Sequence, residues 1–142
     1  MRRLMICSFL LVLAATANAA QPIRLGLNYP STGNYKSEGL ELRRGALLAI
    51  ETLNRQGGVL GRPLELISRN TAAREEKARA NIEKFAAEGA TMAFGGATSE
   101  EAIAAGQRAR ELGLLFFPTL GYANAITGHD GQRYLFRETN SA

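Results

Sequence analysis

The sequence predicts an α/β protein built as a doubly wound parallel sheet. Three observations carry this. Short apolar or half-polar runs alternate with stretches of helical periodicity, glycines close those stretches, and each is long enough to cross a sheet as the helix of a βαβ unit. Right-handed crossovers then give parallel strands covered on both faces.

The elements follow in order. Ile23 to Asn28 (IRLGLN) alternates and stops before Pro30, the pattern of a strand. Leu42, Ala46, Ala49, Ile50 and Leu53 recur at helical spacing, and Gly57-Gly58 closes that helix. Pro63 precedes a half-polar strand, Leu64 to Ser68, after which Ala78, Ile82, Phe85 and Ala86 mark one face of a second helix ended by Gly89. Met92-Ala93-Phe94 is a third, apolar strand. A helix from Ser99 to Leu112 follows, with Gly113 just past its end. Leu114 to Phe117 is a fourth strand stopped by Pro118, and Tyr134 to Arg137 is at most a short fifth.

The half-polar second strand suits an edge and the apolar third and fourth suit the interior, which gives the order 2-1-3-4. Ligands in such sheets sit beyond the carboxyl ends of the strands at the switch point, here between the first and third strands. The loops there are Tyr29 to Tyr35, Gly95 to Ser99 and Pro118 to Tyr122.

The chain has 142 residues and begins MRRLMICSFLLVLAATANAA. Arg2-Arg3, the apolar run from Leu4 to Ala15 and the small-residue end Ala17-Asn18-Ala19 predict a signal peptide over 1–19, cleaved after Ala19. The run is shorter than the roughly 20 residues of a membrane span, so the mature product is expected to be soluble. Cys7, the single cysteine, follows Met5-Ile6 where a lipoprotein signal wants a small residue, so neither a lipid anchor nor a disulfide is expected. Losing Arg2 and Arg3 lowers the formal charge from +4 to +2, which is no nucleic-acid footprint. Arg43-Arg44, Arg108 and Arg110 lie on patterned helices beside acids and are expected on solvated faces.

The loops lack nucleotide signatures. Asn28 to Tyr35 (NYPSTGNY) contains no G-x-G-x-x-G, and no P-loop pattern occurs. His129, the single histidine, lies in a turn-like Gly-His-Asp-Gly, and no catalytic set or metal-ligand spacing accompanies it. No enzyme activity and no cofactor are expected.

The stretch Phe94 to Gly113 (FGGATSEEAIAAGQRARELG) carries two readings. Gly95-Gly96 lets backbone approach a ligand, and a Ser99 N-cap would leave helix N–H groups facing an anion or carboxylate. Equally, Ser99 caps the helix and Glu100 and Glu101 offset the positive end of its dipole, with nothing bound.

In this order the segments resemble the amino-terminal part of a type I periplasmic solute-binding protein, of the branch serving branched-chain amino-acid, amide and urea ABC importers. The resemblance runs from Ile23 to the end, through IRLGLNYPSTGNY, RRGALLAIETLNRQGGVLGRPLELI, FGGATS, ELGLLFFPT, ITG and YLFRETNS. Its most specific part is N-x-x-G-G-x-x-G over 54–61, where glycines end a helix and turn the chain back to the sheet.

The resemblance implies an extracytoplasmic, periplasmic solute-binding component, monomeric when complete, that delivers a small polar solute to an inner-membrane ABC permease. The sensory input of a regulator or chemoreceptor is the alternative. It also implies two lobes closing on the solute, with 20–142 a partial amino-terminal lobe, the second lobe absent, and the chain a fragment or truncated copy. Ser99, beside Thr98, matches a ligand-binding serine of the amino-acid receptors, and Leu120, Gly121 and Tyr122 match a loop supplying a carbonyl and a hydroxyl. Glu38 stands where an aromatic solute contact is expected, Tyr122 where threonine is common, and Glu100 and Glu101 add negative charge. These departures favour an amide, urea-like or cationic solute over a plain amino acid.

Overall fold

The computed structural model describes residues 20–141, so the signal peptide expected over 1–19 lies outside the described residues. The elements run β1 (Ile23–Tyr29), α1 (Lys36–Arg55), β2 (Leu64–Asn70), α2 (Glu75–Ala87), β3 (Ala90–Gly95), α3 (Ser99–Leu112) and β4 (Leu115–Pro118), followed by a 3-10 turn, Asn124–Ile126. All four strands are parallel, in the expected order β2-β1-β3-β4. The expected fifth strand is reduced to one parallel bridge, in which Phe116 N–H donates to Tyr134 O (2.8 Å) and Phe136 N–H to Phe116 O (3.0 Å).

The main core lies between the sheet and the helices α2 and α3. Ile82 and Phe85 of α2, Ala102, Ala105 and Ala109 of α3, and Ala93 and Phe116 of the sheet are all fully buried. Gly26 explains how α2 seats so closely, because a Cβ there would lie 2.5 Å from the Phe85 ring. The row of alanines does the same for α3, bringing its backbone close to the sheet and to α2. Across the two helices Glu111 takes hydrogen bonds from Arg79 and Arg108, and Arg108 Nε lies 2.9 Å from Glu83. The Arg108 hydrogen bond is the main cause that holds the Glu111 carboxyl below its ordinary range, and the same bond raises Arg108.

The opposite face is only half covered. Helix α1 packs on β1 and β2, leaving Met92, Phe94 and Phe117 half-buried and Leu115 and Phe136 exposed, with the Phe117 and Phe136 rings stacked at 5.6 Å. Of the apolar stripe expected on α1 only Ile50 is buried, while Ala49 and Leu53 are exposed, since one helix meets two strands and no second helix flanks it among the described residues. Arg43 corrects another expectation. It is half-buried, donates to Ser68 Oγ (3.3 Å) and lies over the Tyr29 ring, whereas Arg44 pairs with Glu41 at the surface.

The turn glycines behave as the sequence predicts. Gly113 ends α3 in the left-handed conformation (φ 67°), and in the last turn of α1 the Asn54 amide holds the backbone of Leu64, donating to its O (2.9 Å) and accepting from its N–H (2.7 Å).

Candidate solute-binding cleft

The candidate site is built on the carboxyl ends of the strands. Asn28, buried at the end of β1, donates to Ala78 O (3.1 Å) and accepts from Asn81 (3.0 Å), which fixes β1 against α2. At the end of β2, Asn70 Oδ1 accepts from Ser31 N–H and Ala72 N–H, both at 2.8 Å, tying the loop after β1 to the loop after β2. Buried amides satisfied in this way set loop positions rigidly, because any shift would orphan them.

At the switch point the two glycines do the work predicted for them, but on protein. Gly95 has φ 114°, and a Cβ there would lie 1.9 Å from Asn28 O; Gly96 N–H donates to that same carbonyl (2.9 Å). Thr119 completes the join, its N–H donating to Gly95 O and its hydroxyl to Gly96 O, both at 3.3 Å. The ends of β1, β3 and β4 are therefore laced together by the glycine pair.

The start of α3 differs from expectation. The N-cap is Thr98, with extended backbone, and its Oγ1 accepts from Glu101 N–H (3.2 Å). In return Glu101 Oε2 accepts from Ala97 N–H (2.8 Å) and Thr98 N–H (3.2 Å), completing a capping box. Ser99 is thus the first helical residue and not the cap, and Glu101 is fully buried instead of adding charge to the surface. The sequence held the deciding signal, since a capping box needs Glu three residues after the cap: Thr98 has Glu101 there, whereas Ser99 has Ala102.

Freed from capping, Ser99 Oγ accepts from Ala123 N–H (3.1 Å), joining the loop after β3 to the loop after β4. Gly121 is buried against the same turn, where a Cβ would lie 3.5 Å from Ser99 Cα and 2.6 Å from Ile126 Cδ1, and its carbonyl accepts from Thr139 Oγ1 (3.1 Å). Tyr122 is half exposed.

A cavity of about 390 Å³ lies between the first turns of α1 and the loop after β4, lined by Ser37, Glu38, Glu41, Leu42 and Leu120. It is within the size range of small-molecule sites. A more polar depression of about 670 Å³ lies between the starts of α2 and α3, lined by Arg74, Arg79, Thr98 and Glu100 among others. The six candidates thus divide: Glu38 and Leu120 share the smaller cavity, Ser99 and Gly121 pack against each other outside its lining, Tyr122 faces solvent, and Thr98 borders the other depression. Ser37, Glu41 and Leu42 are lining residues that sequence reasoning missed, because it began the helix at Leu42. With α1 starting at Lys36, positions 37, 38, 41 and 42 fall on one helical face.

Hydroxyls, an acidic helix start and an apolar Leu120 can orient a small solute, whereas His129 is 91% exposed with its Nδ1 3.3 Å from Asp130, a surface turn as expected. Among the described residues no three potential metal ligands cluster, and no helix is long and apolar enough to cross a membrane. In a parallel α/β sheet of this order the strand-end loops converge at the switch point, which is where a ligand site of this lobe belongs.

The comparisons with known proteins give the family. A model described as periplasmic binding protein matches residues 22–142, and the chain belongs to that family. It is 31% identical to the Leu/Ile/Val-binding protein homolog 7 of Brucella melitensis over 131 residues, 89% of this chain and 32% of that protein. Among solved structures it is similar to an ABC transporter substrate-binding protein of Desulfitobacterium hafniense in complex with Leu (31% identity, TM-score 0.69, 85% of this chain and 35% of that one). It is also similar to the amino acid ABC transporter substrate-binding protein of Pseudomonas fluorescens Pf-5 (27% identity, TM-score 0.78, 87% and 32%). The chain spans about a third of the length of the curated relatives it matches.

Proposed function

We propose that this chain forms one wall of an extracytoplasmic receptor that binds a small polar solute and presents it to an inner-membrane ABC permease. The observation that carries the reading is that the loop after β4 both meets the loop after β3, at Ala123 and Ser99, and supplies Leu120 to a cavity it shares with Glu38. Ser99 Oγ accepts from the protein, so its hydroxyl hydrogen is left to donate to a solute carbonyl or carboxylate. The relatives, named as Leu/Ile/Val-binding and amino-acid substrate-binding proteins, support an amino-acid-like solute. Glu38 and Glu41 on the cavity wall support an amide, urea-like or cationic variant of it. On this reading 1–19 is a cleaved signal peptide, the mature protein lies in the periplasm, and it works as a monomer without catalysis or cofactor.

The experiment is an NMR titration of the isotopically labelled chain with leucine, leucinamide, acetamide and urea. With one wall present, binding is expected in the millimolar range, because half the solute's polar groups stay unpaired. Shifts should gather at Glu38, Ser99 and Leu120 to Tyr122 and weaken in Ser99→Gly and Tyr122→Phe. Shifts confined to the depression around Arg74 and Glu100, or none with any of the four compounds, would refute the reading.

A further inference from the structure

The glycine-rich loop after β3 looks built to offer backbone N–H groups to an anion, yet Gly96 N–H is bonded to Asn28 O and the next two groups are also taken. Glu101, fully buried, reaches back from the first turn of α3 and accepts from Ala97 N–H and Thr98 N–H through Oε2 alone. Its other oxygen, Oε1, is equally buried and has no hydrogen-bond partner among the described residues. A carboxylate so placed costs desolvation that two hydrogen bonds on one oxygen only partly offset, so packing and helix capping alone are a weak account of it.

We infer that Glu101 is a specificity-determining residue of the loop after β3: its side chain is a built-in occupant of the amide pair at Ala97 and Thr98, and excludes the carboxylate of a solute from that pair. This rests on the receptor reading and deepens it. Solutes approaching this loop then find Ser99 as the available donor, a single hydroxyl that suits the carbonyl of an amide or urea as well as a carboxylate. The loop loses the double N–H clamp that would favour an anion over a neutral carbonyl.

The test uses the full chain with sodium acetate and acetamide as probes, sodium chloride as the ionic-strength control, and the Ala97 and Thr98 amide resonances as the readout. In the wild type neither probe should move these amides beyond the chloride control. In Glu101→Ala the vacated pair should bind acetate saturably, at least about tenfold more tightly than the wild type, with no response to acetamide. Glu101→Gln keeps an oxygen for the two N–H groups without the charge, and should again exclude acetate; this separates occupancy from simple repulsion. Saturable acetate binding by the wild type, or an Ala variant that folds and ignores acetate, would overturn the inference. Should Glu101→Ala fail to fold, hydrogen exchange of the wild type decides, because Ala97 and Thr98 amides exchanging as freely as unbonded ones would equally overturn it. Each readout stands at these two amides, so it can fail while solute shifts at Ser99 persist, or hold while they vanish.

Discussion

Gly95 and Gly113 both sit at positive φ, yet replacing them with alanine should have different consequences. At Gly113 (φ 67°) a Cβ meets nothing within 4 Å, so Gly113→Ala carries only the left-handed conformational cost of about 1–2 kcal/mol. At Gly95 (φ 114°) the backbone lies where side chains are rarely accommodated, costing about 1–3 kcal/mol. The new Cβ would also stand 1.9 Å from Asn28 O and 2.9 Å from its carbonyl carbon, both backbone atoms at the carboxyl end of the central strand β1. Relief requires β1 and β3 to separate, which endangers the Gly96 N–H bond to Asn28 O and the Thr119 bond to Gly95 O, each worth about 0.5–1.5 kcal/mol. A loss of about 4 kcal/mol or more is expected for Gly95→Ala, a large share of the roughly 5–15 kcal/mol that holds a domain together. Urea unfolding followed by circular dichroism gives both values from the shift in midpoint at constant slope. Equal losses at the two sites would refute the claim that Gly95 is kept for contact with β1, and would leave only its φ to explain it.

Four other outcomes are expected. Thr98→Ala should cost about 1 kcal/mol of stability in the same unfolding assay, and more than Thr98→Ser, because the cap hydroxyl is what Glu101 N–H needs. Ser99→Gly should leave folding nearly intact while weakening solute shifts at Tyr122; loss of folding instead would make the Ser99 to Ala123 bond structural first. The Glu111 carboxyl is held low by Arg108 and Arg79, so its contribution is present above its ordinary pKa and is lost as pH falls through the lower folded value. Glu111→Gln should accordingly flatten the acid side of a stability profile measured by thermal melts from pH 6 downward, and leave its upper side unchanged. Phe136→Ser should lower the fluorescence of a bound apolar dye, since Phe136 and Leu115 expose part of the face that α1 leaves open.

Strand order was legible, but on only one of its two patterns: half-polar β2 lies at an edge as expected, whereas apolar β4, expected inside, is the other edge of the described sheet, flanked only by the bridge at Leu135, and its apolar residues are covered by α3 instead of by a further strand. The start of α1 was not, since Lys36 to Gly39 has no apolar period and Gly39 is present for another reason. A Cβ there would lie 2.0 Å from Pro30 O, so the helix starts where the loop after β1 presses on it. That missed turn hid Ser37 and Glu41, which with Glu38 give the cavity wall its polar groups. The cap was legible in the Thr-x-x-Glu spacing but masked by the adjacent serine, which has the same capping chemistry and the wrong partner three residues on. Arg43 was beyond reach because its partners, Ser68 and Tyr29, come from strands that only the fold brings beside α1.

The place of β1 has a consequence for how the protein is made. The first strand of the domain to leave the ribosome is the one on which both ladders are later laid, β2 on one side and β3 on the other. At about 5–20 residues per second, the nascent chain must keep Leu25 and Leu27 unpaired until β2 emerges, and the far edge of β1 bare for some seconds more until β3 arrives. During that interval Gly26 and Asn28 have neither Phe85 nor Asn81 above them, so α2 is the first cover they receive. Only α1, made directly after β1, can shelter the other face of the strand in that interval.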